Sequence, residues 1–95
     1  MVEKFSRWDS AEHLKSTEDV AEYLEAALEE DDPAFFAHAL GVVARARGMS
    51  QVARDAGVSR EGLYKALSGD GNAEFATIYR VARALGVRFH TSVAA

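Results

Sequence analysis

A chain of 95 residues buries one hydrophobic core and leaves no room for two independent domains; without cysteine it forms neither a disulfide framework nor a thiolate metal site. Its three histidines, His13, His38 and His90, fit no close metal-ligand spacing, so neither a metal nor another cofactor is expected. The net charge of −4 argues against a nonspecific nucleic-acid coat but conceals a division, since residues 1–33 carry 11 acidic and 3 basic side chains and residues 34–95 carry 4 acidic and 8 basic.

The 48% hydrophobic content is rich in alanine and only one proline occurs, so helix propensity is high along most of the chain and an all-α fold is expected. No apolar run is long enough to span a bilayer, and the N-terminus lacks a basic segment followed by a hydrophobic one. A soluble, cytoplasmic protein with no membrane association is the expectation.

Residues 1–33 read as an acidic N-terminal extension and first helix packed on the same core as the rest. Met1–Trp8 shows no helical period, yet Phe5 and Trp8 are large apolar residues expected to dock on the core or on a partner. Asp9 and Glu12 have capping-box spacing, which places a short helix over Ser10–Leu14. Ser16 or Thr17 then caps a helix whose Val20, Tyr23, Leu24, Ala27 and Leu28 form one apolar stripe. Glu18, Asp19, Glu22, Glu25 and Glu29 cover its other surface, either as a solvated face or as a docking surface for a basic partner. Glu30, Asp31 and Asp32 mark a loop.

Residues 34–95 form the basic part. Asp32 before Pro33 places a capping carboxylate ahead of a proline at the first helical position. The helix it starts carries Phe35, Phe36, Ala39, Leu40, Val43 and Ala44 at helical spacing. Arg45 and Arg47 lie in its last turn and Gly48 stops it.

Met49–Ser68, MSQVARDAGVSREGLYKALS, reads as a helix-turn-helix. Ser50 is the expected cap of a two-turn helix buried through Val52, Ala53 and Ala56, and Gly57 supplies the turn. Val58 plugs the turn and Ser59 caps the second helix. Leu63, Ala66 and Leu67 return to the core, leaving Arg60, Glu61, Tyr64, Lys65 and Ser68 outward. A last helix from Glu74 or Phe75 to Leu85 is expected to bury Phe75, Ile78, Tyr79, Ala82 and Leu85, with Gly86 ending it. Val87, Phe89, Thr91 and Val93 then alternate with polar residues, a period of two that predicts a half-buried strand. A lone strand needs a partner; pairing with a second copy through those four residues predicts a homodimer, and the N-terminal segment around Phe5 is the alternative strand partner.

The outward residues have the chemistry of base readout. A recognition helix enters the major groove at its N-terminal end; there Arg60 can bond guanine twice, Glu61 can accept from cytosine, and Lys65 can reach guanine or a phosphate. Tyr64 can meet a thymine methyl or a phosphate. Ser50 and Gln51, at the start of the preceding helix, suit phosphate contacts, and Ser59 and Ser68 flank the reading face. An ordinary helical hairpin would also join short helices by glycine, but it does not require Ala53, Gly57, Val58 and Leu63 together with this polar face. No nucleotide-cradling loop and no paired acid-base residues point to an enzyme.

The stretch AEYLEAALEEDDPAFFAHALGVVARARGMSQVARDAGVSREGLYKALSGDGNAEFATIYRVARALG resembles the addiction-module antidote proteins, helix-turn-helix antitoxins of the lambda-repressor-like class. The resemblance extends over about residues 5–90. It implies about five helices with an N-terminal extension and a short C-terminal strand. It also implies a dimer that neutralises a small basic toxin of the RelE- or HigB-like ribonuclease class and represses their shared operon through double-stranded operator DNA. The matching DNA-facing positions are Gln51, Arg60, Glu61, Tyr64 and Lys65. The chain departs from the family at Gly62, where a larger or more polar residue is usual, and at Ala73, where proline is usual. With that partner implied, Glu22, Glu25 and Glu29 are one candidate toxin surface and Phe5 with Trp8 the other. A helix-turn-helix repressor without a toxin, or an interaction module that binds no DNA, are the competing readings.

Overall fold

Three of the helices start where a side chain accepts free amides of the first turn. The computed structural model describes residues 16–69 and 72–94, and these form five helices: α1 (Thr17–Leu28), α2 (Pro33–Arg47), α3 (Met49–Ala56), α4 (Arg60–Ala66) and α5 (Phe75–Ala84). The short helix expected over Ser10–Leu14 and the side chains of Phe5 and Trp8 lie outside the described residues.

Ser16 is extended and its hydroxyl accepts the Asp19 amide at 3.1 Å. Asp32 does the same for α2, accepting from the amides of Ala34 at 3.0 Å and Phe35 at 3.4 Å. Between these helices Asp31 takes φ +60°, a left-handed conformation that aspartate tolerates better than most side chains.

Helix α2 packs against α1, α3 and α5. Phe36, Ala37, Ala39, Leu40, Val43 and Ala44 are buried, spread around more of the helix than one stripe, as a central helix requires. Val20, Leu24 and Ala27 of α1 join the same core. Tyr23 is only half-buried and Leu28, the last of the expected stripe, is 51% exposed.

Gly48 ends α2 and begins α3, donating to the Ala44 carbonyl at 2.9 Å and accepting the Val52 amide at 3.0 Å. Its φ of +107° turns the chain between the two. Ser50, expected as the cap, therefore stands inside the first turn of α3, and the cap position has no side-chain hydrogen bond. At the other end Gly57 is left-handed (φ +74°); its amide and that of Val58 bond back to Arg54 and Ala53, closing α3 in a Schellman turn.

Helix α5 buries a face rotated from the expected one. Val81, Ala82 and Leu85 are in the core and Ile78 packs at its edge, but Phe75 is 72% exposed and Tyr79 is 41% exposed. The expected strand is corrected too. Residues 87–94 have no regular secondary structure, and among the described residues no second strand exists to complete a ladder. Val87 and Phe89 instead pack on the edge of the core, while Arg88 and His90 point to solvent. The alternation of burial holds only from Val87 to His90; Thr91 and Val93 are exposed like their neighbours, and the ladder is not formed.

Candidate nucleic-acid interface

The hairpin of α3 and α4 owes its shape to residues with little surface of their own. Ala53 and Ala56 of α3 are buried, Val58 in the turn packs on the core, and Leu63 of α4 has no exposed area. Burying a leucine is worth roughly 1.5–3 kcal/mol, enough to fix the rotation of a seven-residue helix that would be marginal alone. With Leu63, Ala66 and Leu67 turned inward, Arg60, Glu61, Tyr64, Lys65 and Ser68 are all exposed. So are Ser50 and Gln51 on α3 and Ser59 at the junction, and the eight candidate DNA-facing residues thus share the outside of one hairpin.

Two side-chain arrangements pre-set this face. On α4, Arg60 Nη2 donates to Tyr64 Oη at 3.3 Å, and the guanidinium carbon lies 5.6 Å from the centre of the tyrosine ring. One turn of helix separates the pair, so the ring supports the guanidinium through a cation–π contact and a hydrogen bond. On α3, Gln51 Nε2 donates to Asp55 Oδ1 at 2.9 Å and its Oε1 accepts from Arg54 Nη1 at 3.2 Å. Both ends of the amide are engaged, yet the second N–H of Nε2 remains for an incoming acceptor. Arg54 and Asp55 were missed as members of this face. Their spacing of three and four residues from Gln51 was the available signal.

Ser59 Oγ accepts the Gly62 amide at 2.9 Å. A β-carbon on residue 62 would lie 3.0 Å from that oxygen, so Gly62 makes room for the cap that starts α4.

The other candidate residues lie elsewhere. Glu22, Glu25 and Glu29 are exposed at the spacing of one helical face along α1 and its end. Thr91 and Val93 are exposed on the tail, with Val93 at 96%, whereas Val87 and Phe89 are partly covered by the core. Among the described residues no cluster of histidine, aspartate and glutamate has the geometry of a metal site, and no helix is long and apolar enough to cross a membrane.

No solved structure matches the chain. An uncharacterized protein of Haemophilus influenzae is 55% identical over 89 residues, covering 94% of this chain and 92% of that protein. Residues 4–93 match the family described as "probable addiction module antidote protein". A match over that span takes in all five helices and the tail and supports an antitoxin role rather than a catalytic one, and by it the chain belongs to the addiction module antidote proteins.

Proposed function

We propose that this antitoxin binds double-stranded operator DNA through α3 and α4, represses its own operon, and neutralises a small RelE-like ribonuclease toxin through a surface outside that hairpin. The observation that carries the DNA reading is Arg60, exposed at the first turn of α4 and held by Tyr64. A guanidinium kept in place before binding loses less freedom on meeting a guanine edge. Glu61 and Lys65 extend the reading face. Ser50, Gln51, Ser59 and Ser68 are placed to set its register on the phosphates.

The test is a titration of the chain with DNA from its own promoter across a range of salt. Affinity falls linearly with the logarithm of salt, and Arg60→Ala costs about 1–3 kcal/mol on specific DNA. Equal affinity of wild type and variant for promoter and scrambled DNA overturns the reading.

Toxin neutralisation is assigned to the acidic face of α1, where Glu22, Glu25 and Glu29 are exposed and can attract a basic protein. The triple change to glutamine weakens binding of the toxin encoded beside the gene, measured by calorimetric titration; unchanged affinity moves the contact to Phe5 and Trp8, which deletion of residues 1–8 then tests. Two copies present two recognition helices to half-sites about one helical turn apart. Because Val87 and Phe89 face the core, Thr91 and Val93 are the part of the tail open to a second copy. A monomer by light scattering, both free and on DNA, rules the dimer out.

A further inference from the structure

A groove of about 470 Å³ runs between the end of α1, the start of α2, the first turns of α5 and the tail. Its lining is mostly apolar, with Leu28, Phe36, Phe75 and Phe89 among the residues. Phe75 lies 6.4 Å from Phe89 and Phe89 lies 6.1 Å from Phe36, ring centre to ring centre, so the aromatics form one continuous lining. Asp31 and Asp32 stand in its wall, next to exposed Glu29 and Glu30. The negative end of the α1 dipole points the same way, and α1 has no basic residue in its last turn to offset it. An occupant of matching chemistry carries large apolar side chains flanked by cations.

The chain contains such a segment. Lys4-Phe5-Ser6-Arg7-Trp8 sets two aromatic residues beside two of the three basic residues found in positions 1–33. It also starts from the right place. Thr17 packs beside Gly86, its methyl 3.4 Å from where a β-carbon on that glycine would lie, and Phe89 follows Gly86 by three residues, a span of at most roughly 10 Å. The eight residues from Trp8 to Ser16 reach roughly 26–29 Å when extended, which leaves slack. A second copy is a poorer occupant, because a two-fold contact centred on this groove sets its acidic rim against the same rim of the other copy.

We propose that Phe5 and Trp8 of the same chain fill this groove, with Lys4 and Arg7 set against Asp31 and Asp32. The assignment goes beyond the DNA reading and the acidic-face toxin reading and depends on neither; it competes with a toxin contact through Phe5 and Trp8. Seated there, the N-terminal segment covers Phe75 and Leu28 and ties the end of α1 to α5.

Trp8 is the only tryptophan, so its fluorescence in the full chain reports the seat directly. The expected emission is blue-shifted relative to free tryptophan, weakly quenched by acrylamide, and independent of protein concentration from submicromolar to tens of micromolar. Phe75→Ser and Leu28→Ser, both at exposed positions, each shift the emission to the red and raise the quenching constant severalfold while helical circular dichroism is retained. Asp31→Asn, which keeps a residue tolerant of positive φ, gives a smaller red shift that disappears at high salt. Tyr64→Ser, on the DNA-facing hairpin, leaves the emission unchanged. Three results overturn the proposal. Emission typical of exposed tryptophan leaves the groove open for another protein. A blue shift that grows with concentration assigns it to a second copy. A blue shift insensitive to both groove variants places Trp8 elsewhere.

Discussion

Tyr64 on α4 and Tyr79 on α5 are 45% and 41% exposed, yet they belong to opposite kinds of surface. Tyr64 holds a guanidinium by a hydrogen bond and a cation–π contact, on a helix whose other outward side chains are polar or charged. Tyr79 stacks with Phe89 at 6.2 Å and meets Phe75 in a tilted contact at 5.9 Å, in a patch that continues into the groove. Exposure alone does not separate the two; the neighbours do. The first surface can stay in water indefinitely and offers hydrogen-bonding groups to a polar ligand. The second leaves apolar rings in contact with water, a state that favours cover by another apolar group.

The comparison is broken most severely from beneath. Leu63 is fully buried one residue before Tyr64, and Leu63→Ala should cost about 2–5 kcal/mol in urea unfolding, a large part of the stability of a domain this size. Phe75→Ala removes a larger side chain from the surface and should change stability by only about 0.5 kcal/mol, unless the groove is occupied, in which case the loss is greater. A Leu63→Ala variant as stable as Phe75→Ala would mean that the hairpin is not anchored through α4.

A smaller effect sharpens the role of Tyr64. Tyr64→Phe keeps the ring under Arg60 and removes only the hydroxyl acceptor. On the proposed DNA reading, promoter affinity should fall by about 0.5–1.5 kcal/mol with stability unchanged, because the bond is solvent-exposed but holds the arginine proposed to read bases. If Arg60→Ala and Tyr64→Phe together cost the sum of the two single losses, the tyrosine acts independently of the arginine.

What could be read in the sequence follows the range of the interactions. Ser16, Asp32, Gly57 and Ser59 act on amides within five residues, and each stands at the helix end expected of it. Ser50 misled because serine is a preferred cap, whereas Gly48 already breaks the backbone two residues earlier and α3 starts at Met49. In α5 two apolar stripes overlap, one through Phe75 and Tyr79 and one through Val81 and Leu85. Only the packing of α3 and α2 against the helix decides which is buried. The tail shows the same limit, since the alternation anticipated the cover of Val87 and Phe89 but neither the exposure of Thr91 and Val93 nor whether a second strand exists to pair with. The exposure of Arg60, Glu61, Tyr64 and Lys65 was legible because it follows from the rotation of one short helix about Leu63, whereas the groove draws its lining from three helices and the tail.

Gly62 offers the finest test of that local logic. Glycine inside a helix costs about 1 kcal/mol relative to alanine, so Gly62→Ala alone would be expected to stabilise α4. The new β-carbon, however, would stand 3.0 Å from Ser59 Oγ, the oxygen that accepts the amide of residue 62. Gain in propensity and loss of cap geometry then oppose each other, and the single variant should lie within about 0.5 kcal/mol of wild type. Ser59→Ala alone should cost about 1 kcal/mol by removing the cap. In that background no hydroxyl remains to be crowded, and Gly62→Ala should recover most of its roughly 1 kcal/mol. Urea midpoints for the four proteins close the cycle. If Gly62→Ala stabilises equally with and without the serine hydroxyl, the glycine is not there to admit the cap, and its place on α4 needs another cause.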